Sequence, residues 1–269
     1  MNKDYKAFFG LSGPAFGRQI AVEHLLSHSQ IQQLHNLLAA TLDHGSIAVL
    51  TGPVGAGKST ALRAFLASLH PERFSVIGVG FTTVDRAVFR EMAQQLGLVP
   101  AFPKGDLVVQ VHTAIEQLWM SKRRQTILIV DDAHLIPDPL LVELRQLLNY
   151  QMDSATPLAL FLSGKPALRA RLADPRHEEL YQRAPLRYSL AGLSRPETTA
   201  YVAAHMTAVG GDPGVFTEEA VDLVYQQSKG IPREINNICV YALVRAGWED
   251  ARVVDRKIVD DAIRAQGAA

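Results

Sequence analysis

Gly52-Pro53-Val54-Gly55-Ala56-Gly57-Lys58-Ser59 fills every fixed position of the phosphate-binding loop G-x-x-x-x-G-K-S. The residues before it, Ser46-Ile47-Ala48-Val49-Leu50-Thr51, are apolar and read as a buried strand. Thr60 to Leu69 follow, and the apolar spacing of Leu62, Phe65, Leu66 and Leu69 predicts a helix. Strand, glycine-rich turn and helix form the context this motif needs. Glycines let backbone N–H groups approach phosphate oxygens with no Cβ in the way. The helix N-terminus adds unpaired donors and a partial positive charge. Lys58 supplies a cation for the outer phosphates, the Ser59 hydroxyl suits Mg²⁺, and Thr60 completes the expected nucleotide contacts. The loop thus predicts ATP with Mg²⁺.

The composition sets wide bounds around this loop. The chain has 269 residues, enough for one large domain or two modest ones. Hydrophobic residues make up 48% and charged residues 20%, a globular balance that excludes a disordered chain. Lys+Arg and Asp+Glu both number 27, so no global field draws the protein to nucleic acid, and any such contact rests on a local patch. The one cysteine, Cys239, excludes an internal disulfide and fits a reducing compartment. Met1-Asn2-Lys3-Asp4-Tyr5-Lys6 lacks a signal-peptide core, and no apolar run reaches membrane-spanning length, so a cytoplasmic protein without a membrane partner is expected.

Periodicity divides the chain into three. Residues 1–45 read as an aromatic, Pro- and Gly-containing segment followed by a helix, packed on the core. His24 and His28 share a face of that helix, but no further ligand stands at metal spacing. Residues 46–192 alternate strand and helix, the pattern of a parallel α/β sheet. Strands are expected at 74–79, 126–130, 158–162 and 186–190. Helices are expected at 85–96, 107–122 and 139–150, with a loop over 99–106. Residues 193–269 read as helices only. Ser194 and Glu197 form a capping box with Pro196 in the first turn. Thr217 and Asp255 start further helices, Gly210-Gly211 and Gly230 end others, and Pro232 opens one.

The apolar strand at 126–130 ends in Asp131-Asp132. A strand ending in an acidic pair downstream of a phosphate loop is a Walker B pattern. Asp131 is expected at the Mg²⁺, and Asp132 to polarise the attacking water. Asp is one methylene shorter than the Glu more common at the second position, which predicts slow turnover or a differently placed water. Ser163 follows the strand at 158–162. It either sits between the acidic strand and the phosphate loop or caps the helix at 166–172.

The phosphate loop, Ile129-Val130-Asp131-Asp132-Ala133-His134, Leu162-Ser163-Gly164-Lys165-Pro166-Ala167-Leu168-Arg169 and Lys229-Gly230-Ile231-Pro232-Arg233-Glu234-Ile235-Asn236 lie in one order on one chain. With Phe8-Phe9-Gly10-Leu11 and Pro14-x-Phe16 at the start, the ensemble resembles the AAA+ ATPases of the ExeA/GspA type over nearly its whole length. The resemblance implies an AAA+ P-loop ATPase core with a five-stranded parallel sheet, followed by a small all-helical lid. It also implies ATP hydrolysis, and head-to-tail assembly into a ring or filament whose sites a neighbouring subunit completes. By that resemblance Ser163 matches the sensor-1 position and Arg233 the sensor-2 arginine. Arg183 matches the arginine finger, with Arg169 and Arg171 as rivals.

Two kinds of relative fit such a chain. One is a secretion-system ATPase, or a nucleotide-switch scaffold, that does not act on DNA. The other is the ATPase subunit of Mu- and Tn7-like transposition systems. Because the chain stops after the lid, the second is the expectation. It implies a partner transposase, a target-selection adaptor and duplex DNA gripped without strong sequence preference. Thr82, Thr83, Arg86, Arg90 and Lys104 are the candidate DNA contacts, by an electrostatic and salt-sensitive grip.

Overall fold

The computed structural model describes residues 4–17, 29–80, 85–151 and 155–267. Contacts divide them into two compact units, one of Gln30–Pro53 and Lys58–Leu190, the other of Val54–Gly57, the stretch from Ala191 onward and the described N-terminal residues.

The first unit is a parallel sheet of five strands. β1 (Ile47–Thr51), β2 (Phe74–Val79), β3 (Gln125–Val130), β4 (Leu158–Gly164) and β5 (Leu186–Ser189) lie in the order β2-β3-β4-β1-β5. Burial on both faces is why β1, β3 and β4 read as unbroken apolar runs. Side chains alternate between the faces. Val49, Leu128, Val130, Leu160 and Leu162 share one cluster with Phe89 and Met92 of α4 (Asp85–Gln95), Val111 and Ile115 of α5 (Lys104–Lys122), and Leu140 and Leu144 of α6 (Asp138–Gln146). Phe161 faces the other way, its ring 6.1 Å from Phe65 of α3 (Lys58–Ala67). α2 (Ser29–His44) adds buried Leu34, Leu38 and Leu42. At the open edge of β2 the Gln95 amide accepts from the Gly78 N–H at 3.0 Å and donates to its carbonyl at 2.7 Å, covering backbone that would otherwise pair with another chain.

The second unit is helical. It holds α1 (Tyr5–Phe9), α9 (Arg195–Thr207), α10 (Glu218–Ser228), α11 (Pro232–Trp248) and α12 (Arg256–Gly267). The expected caps are formed: Ser194 and Glu197 exchange both capping-box bonds, Thr217 accepts from the Ala220 N–H at 3.2 Å, and Asp255 from the Ile258 N–H at 2.9 Å. Its core joins Ala15, Phe16, Met206, Phe216, Val224, Ile235, Cys239, Leu243 and Val259. His205 stacks on Phe16 with centroids 5.2 Å apart. Burial lowers the His205 pKa to about 4.

Several element bounds, and the grouping of the N-terminal stretch, differ from expectation. α5 starts at Lys104, not 107, because Pro103 at the N-cap already holds an extended backbone and Asp106 suits a first turn. α6 ends at Gln146, yet Leu147, Leu148 and Tyr150 stay buried beyond it, so their apolar spacing reports burial and not helix. β4 runs on through Ser163 and Gly164. The N-terminal stretch is not one piece on the α/β core. α1, Ala15 and Phe16 belong with the helical unit, whereas α2 from Gln30 belongs with the sheet. His24 and His28 lie outside the described residues.

Candidate active site

In the sheet unit the strand order brings the candidate residues to one strand end. β4 lies between β1, which feeds the phosphate loop, and β3, which ends in the acidic pair. Register pairs Leu50 with Ser163 and Val130 with Leu162. Ser163 therefore stands at the strand end between loop and acids. Its hydroxyl is fully buried and has no hydrogen-bond partner. It makes no capping bond to α7 (Ala167–Leu172), whose N-cap is Pro166.

Ser59, in the first turn of α3, donates its hydroxyl to Asp131 Oδ2 at 2.8 Å. Asp131 Oδ1 accepts the Asp132 N–H at 2.9 Å. Both oxygens of Asp131 are thus aimed by the fold, one at the loop's helix and one at its own turn. Asp132 takes a left-handed backbone, φ +49°, which Asp tolerates better than most residues because its short polar chain bonds locally. Its side chain is 56% exposed, so the carboxylate is open to solvent at the strand exit. Lys58 Nζ donates to the Gly52 and Pro53 carbonyls at 3.0 Å each, folding the ammonium back over the start of its own loop. Thr60 follows in α3, half-buried.

The loop crest, Val54 to Gly57, groups with the helical unit. Val54 is exposed and Ala56 buried. Gly55 has φ +82°, and a Cβ there would lie 2.5 Å from Arg233 Cβ, so both backbone angle and space demand glycine. The Arg233 N–H donates to the Gly55 carbonyl at 3.2 Å. Pro232 starts α11 and puts Arg233, itself exposed, in its first turn.

Among the arginine-finger candidates the structure separates two roles. Arg171 Nε donates to Asp138 Oδ1 at 2.9 Å and its Nη1 to the His134 carbonyl at 3.4 Å, so it is committed within the chain. Its guanidinium, through that bond, holds the Asp138 carboxyl below the usual range. Arg169 is exposed on α7. Arg183 caps the C-terminus of α8 (Glu178–Gln182), and its carbonyl accepts the Ile47 N–H at 3.1 Å, pinning it to the start of β1.

The DNA candidates are not brought into this arrangement. Thr82 and Thr83 lie outside the described residues, as does the Arg86 side chain. Arg90 is exposed on α4. Lys104 is bound to Glu143 of α6 at 2.6 Å, which neutralises the charge expected to meet phosphate. No group of metal-ligating side chains forms a ready-made cage among the described residues, and none of their helices is long and apolar enough to cross a membrane. A hydroxyl and one carboxylate beside a phosphate loop suit Mg²⁺, which binds through few protein ligands and keeps the rest for water and phosphate.

Known proteins share the sequence pattern and the fold. Residues 41–172 match the AAA domain family. The chain is 31% identical over 246 residues to a general secretion pathway protein A of Aeromonas hydrophila, a match spanning 90% of this chain and 45% of that protein. It therefore spans about half the length of that relative. Among solved structures, Cdc6p of Pyrobaculum aerophilum superposes with a TM-score of 0.70 at 18% identity, over 89% of this chain and 67% of the other. The Aeropyrum pernix ORC1 protein, in complex with DNA, superposes with a TM-score of 0.68 at 18% identity, over 93% and 68%. AAA+ domains bind and hydrolyse nucleotides in general, and the five-stranded sheet with its phosphate loop and acidic strand end has the AAA+ P-loop fold, in a chain similar to general secretion pathway protein A.

Proposed function

We propose that the protein is an ATPase that assembles with ATP on duplex DNA and regulates a transposase. The observation that carries the hydrolytic part is the Ser59–Asp131 bond beside the buried, unpartnered Ser163 hydroxyl. A buried hydroxyl without a partner costs about 1–3 kcal/mol, so its place at the loop-facing strand end argues for a ligand oxygen as its partner. Mg²⁺ at Ser59 and Asp131 would neutralise phosphate charge. Lys58 exchanges its two carbonyl partners for phosphate oxygens, Asp132 orients the attacking water and draws its proton, and Ser163 holds a terminal phosphate oxygen. Arg233 serves the loop crest of its own chain. Arg183, supplied by a neighbouring subunit, stabilises transition-state charge in trans. A contact of this head-to-tail kind repeats into a ring or filament.

DNA is the client favoured by the fold shared with the DNA-bound ORC1 protein. Arg90 is the leading contact, and Lys104, already paired with Glu143, contributes less. The second reading, a secretion-system ATPase or scaffold, is favoured by the identity to general secretion pathway protein A. Co-sedimentation with duplex DNA in ATP, in ADP and without nucleotide separates the two. The first reading expects ATP-dependent pelleting that weakens in salt and in Arg90→Glu while ATP affinity is kept. A protein that ignores DNA in every nucleotide state overturns it in favour of the second.

A further inference from the structure

The turn after β3 carries a side chain that the ATPase reading leaves unused. His134 is the middle residue of the 3₁₀ turn Ala133–Leu135, directly after the left-handed Asp132. Its side chain is only 8% exposed. Nδ1 accepts the Lys165 N–H at 3.4 Å, just past the end of β4. The same nitrogen stands 3.8 Å from Asp132 Oδ1. Nε2 is buried and has no partner. A Cβ on Gly164 would lie 3.3 Å from both the His134 N and Nδ1, so the strand end bearing Ser163 presses directly on this residue.

One nitrogen therefore faces two opposite demands. The Lys165 N–H donates to it, and the Asp132 carboxylate beside it can only accept. While Nδ1 accepts, the ring proton sits on Nε2, buried and unpaired, which is unfavourable. With the proton on Nδ1 the ring gives up Lys165 and turns that N–H toward the Asp132 carboxylate, 3.8 Å away, a reach that a small rotation of the exposed carboxylate would close. The turn's backbone is tied to α6 and α7. Arg171 holds the His134 carbonyl at 3.4 Å, and Asp138 holds Arg171. His177 Nε2, 2% exposed, stands 3.1 Å from the same Asp138 oxygen.

We propose that His134 is a positioning residue for hydrolysis, setting the orientation of the Asp132 carboxylate according to the state of the strand end at Ser163–Lys165. The inference rests on the reading of Asp132 as the water-orienting group. It makes His134 act on the rate of the chemical step and not on nucleotide affinity. Misplacing a reacting group by about 1 Å costs on the order of a hundredfold in rate, and a partial loss of orientation about tenfold.

The test is phosphate release by the full chain, with kcat and KM for ATP and the Kd of a fluorescent ATP analogue. His134→Ala is expected to lower kcat about tenfold to a hundredfold and to leave Kd within about twofold. His134→Asn places an amide where Nδ1 lies and is expected to recover most of the rate, whereas His134→Gln, whose amide reaches the depth of Nε2, is not. In an Asp132→Asn background the added His134→Ala is expected to change kcat by less than about twofold, because the two residues act as one unit. The inference is overturned if His134→Ala keeps the wild-type kcat, or if it costs the same factor in both backgrounds. Should the alanine variant lose nucleotide affinity, the asparagine–glutamine pair carries the test, and equal rates for the two overturn it. A wild type that binds ATP and releases no phosphate removes the hydrolysis reading itself.

Discussion

Gly230→Ala should unfold the helical unit far more readily than Gly210→Ala, although both glycines have nearly the same backbone, φ +72° and +75°. A left-handed backbone costs an alanine about 1–2 kcal/mol at either site. The difference is space. Around Gly210 a Cβ meets nothing within 4 Å, whereas at Gly230 it would lie 1.9 Å from the Leu193 carbonyl oxygen and 2.7 Å from the Leu193 nitrogen. Both are backbone atoms and cannot rotate away. The crossing must open, breaking the 2.8 Å bond from the Leu193 N–H to the Gly230 carbonyl. That bond contributes about 1 kcal/mol, and forced overpacking costs about 1–3 kcal/mol more. The sum is about 3–6 kcal/mol for Gly230→Ala against about 1–2 kcal/mol for Gly210→Ala. Urea unfolding followed by tryptophan fluorescence measures this cleanly, because Trp248 lies on α11 of the helical unit and Trp119 on α5 of the sheet unit. In a Trp119→Phe background Trp248 reports alone, and a loss of about 3 kcal/mol moves the midpoint by about 1 M or more. Midpoints for the two variants that agree within the error of the fit would refute the claim that this backbone crossing holds the start of α11 and the Arg233–Gly55 contact.

Lys58→Ala removes the cation over the loop and should weaken ATP binding at least about a hundredfold by titration calorimetry, about 3 kcal/mol; an unchanged Kd would move the phosphate site elsewhere. Asp132→Asn keeps the size of the side chain and removes its charge, so ATP should still bind while phosphate release falls by about 10²–10⁴. Asp132→Glu should hold or raise the rate, and a fall would show that the shorter carboxylate fits the site. The His205 pKa of about 4 lies below its ordinary 6.5, so the unfolded chain binds the proton more tightly than the folded one. The stabilisation is complete above pH 6.5 and is lost as pH falls toward 4, amounting to about 3 kcal/mol; His205→Phe should flatten the unfolding midpoint of the Trp248 signal over that range.

The parts of the site that depend on contiguous residues were legible in the sequence. The phosphate loop and the Asp131-Asp132 strand end each lie within one short stretch, and the alternation of strand and helix gave a parallel sheet but not the order of its strands. Ser163 was legible as one of two placements, and β4, running on through it, puts it at the strand end while Pro166 caps α7. Features set by distant contacts were not legible. Nothing local says that Arg171 is spent on Asp138, or Lys104 on Glu143. Residues 5–16 have no periodicity, so their partner shows only when Phe16 is found stacked on His205. The start of α5 had a readable signal, Pro103 followed by Asp106, which the apolar spacing from Leu107 onward outweighed. His134 reads as a polar residue at a strand exit, and only the closeness of Gly164 and Lys165 gives it a role.

Phosphate release by the purified chain, with Mg²⁺ and ATP, with and without duplex DNA, and beside Asp132→Asn, bears most directly on the central claim. The account predicts slow wild-type turnover, raised by DNA as subunits supply Arg183 to one another, and close to background in Asp132→Asn. Turnover that survives Asp132→Asn undiminished, or a wild type that holds ATP and never releases phosphate, contradicts it.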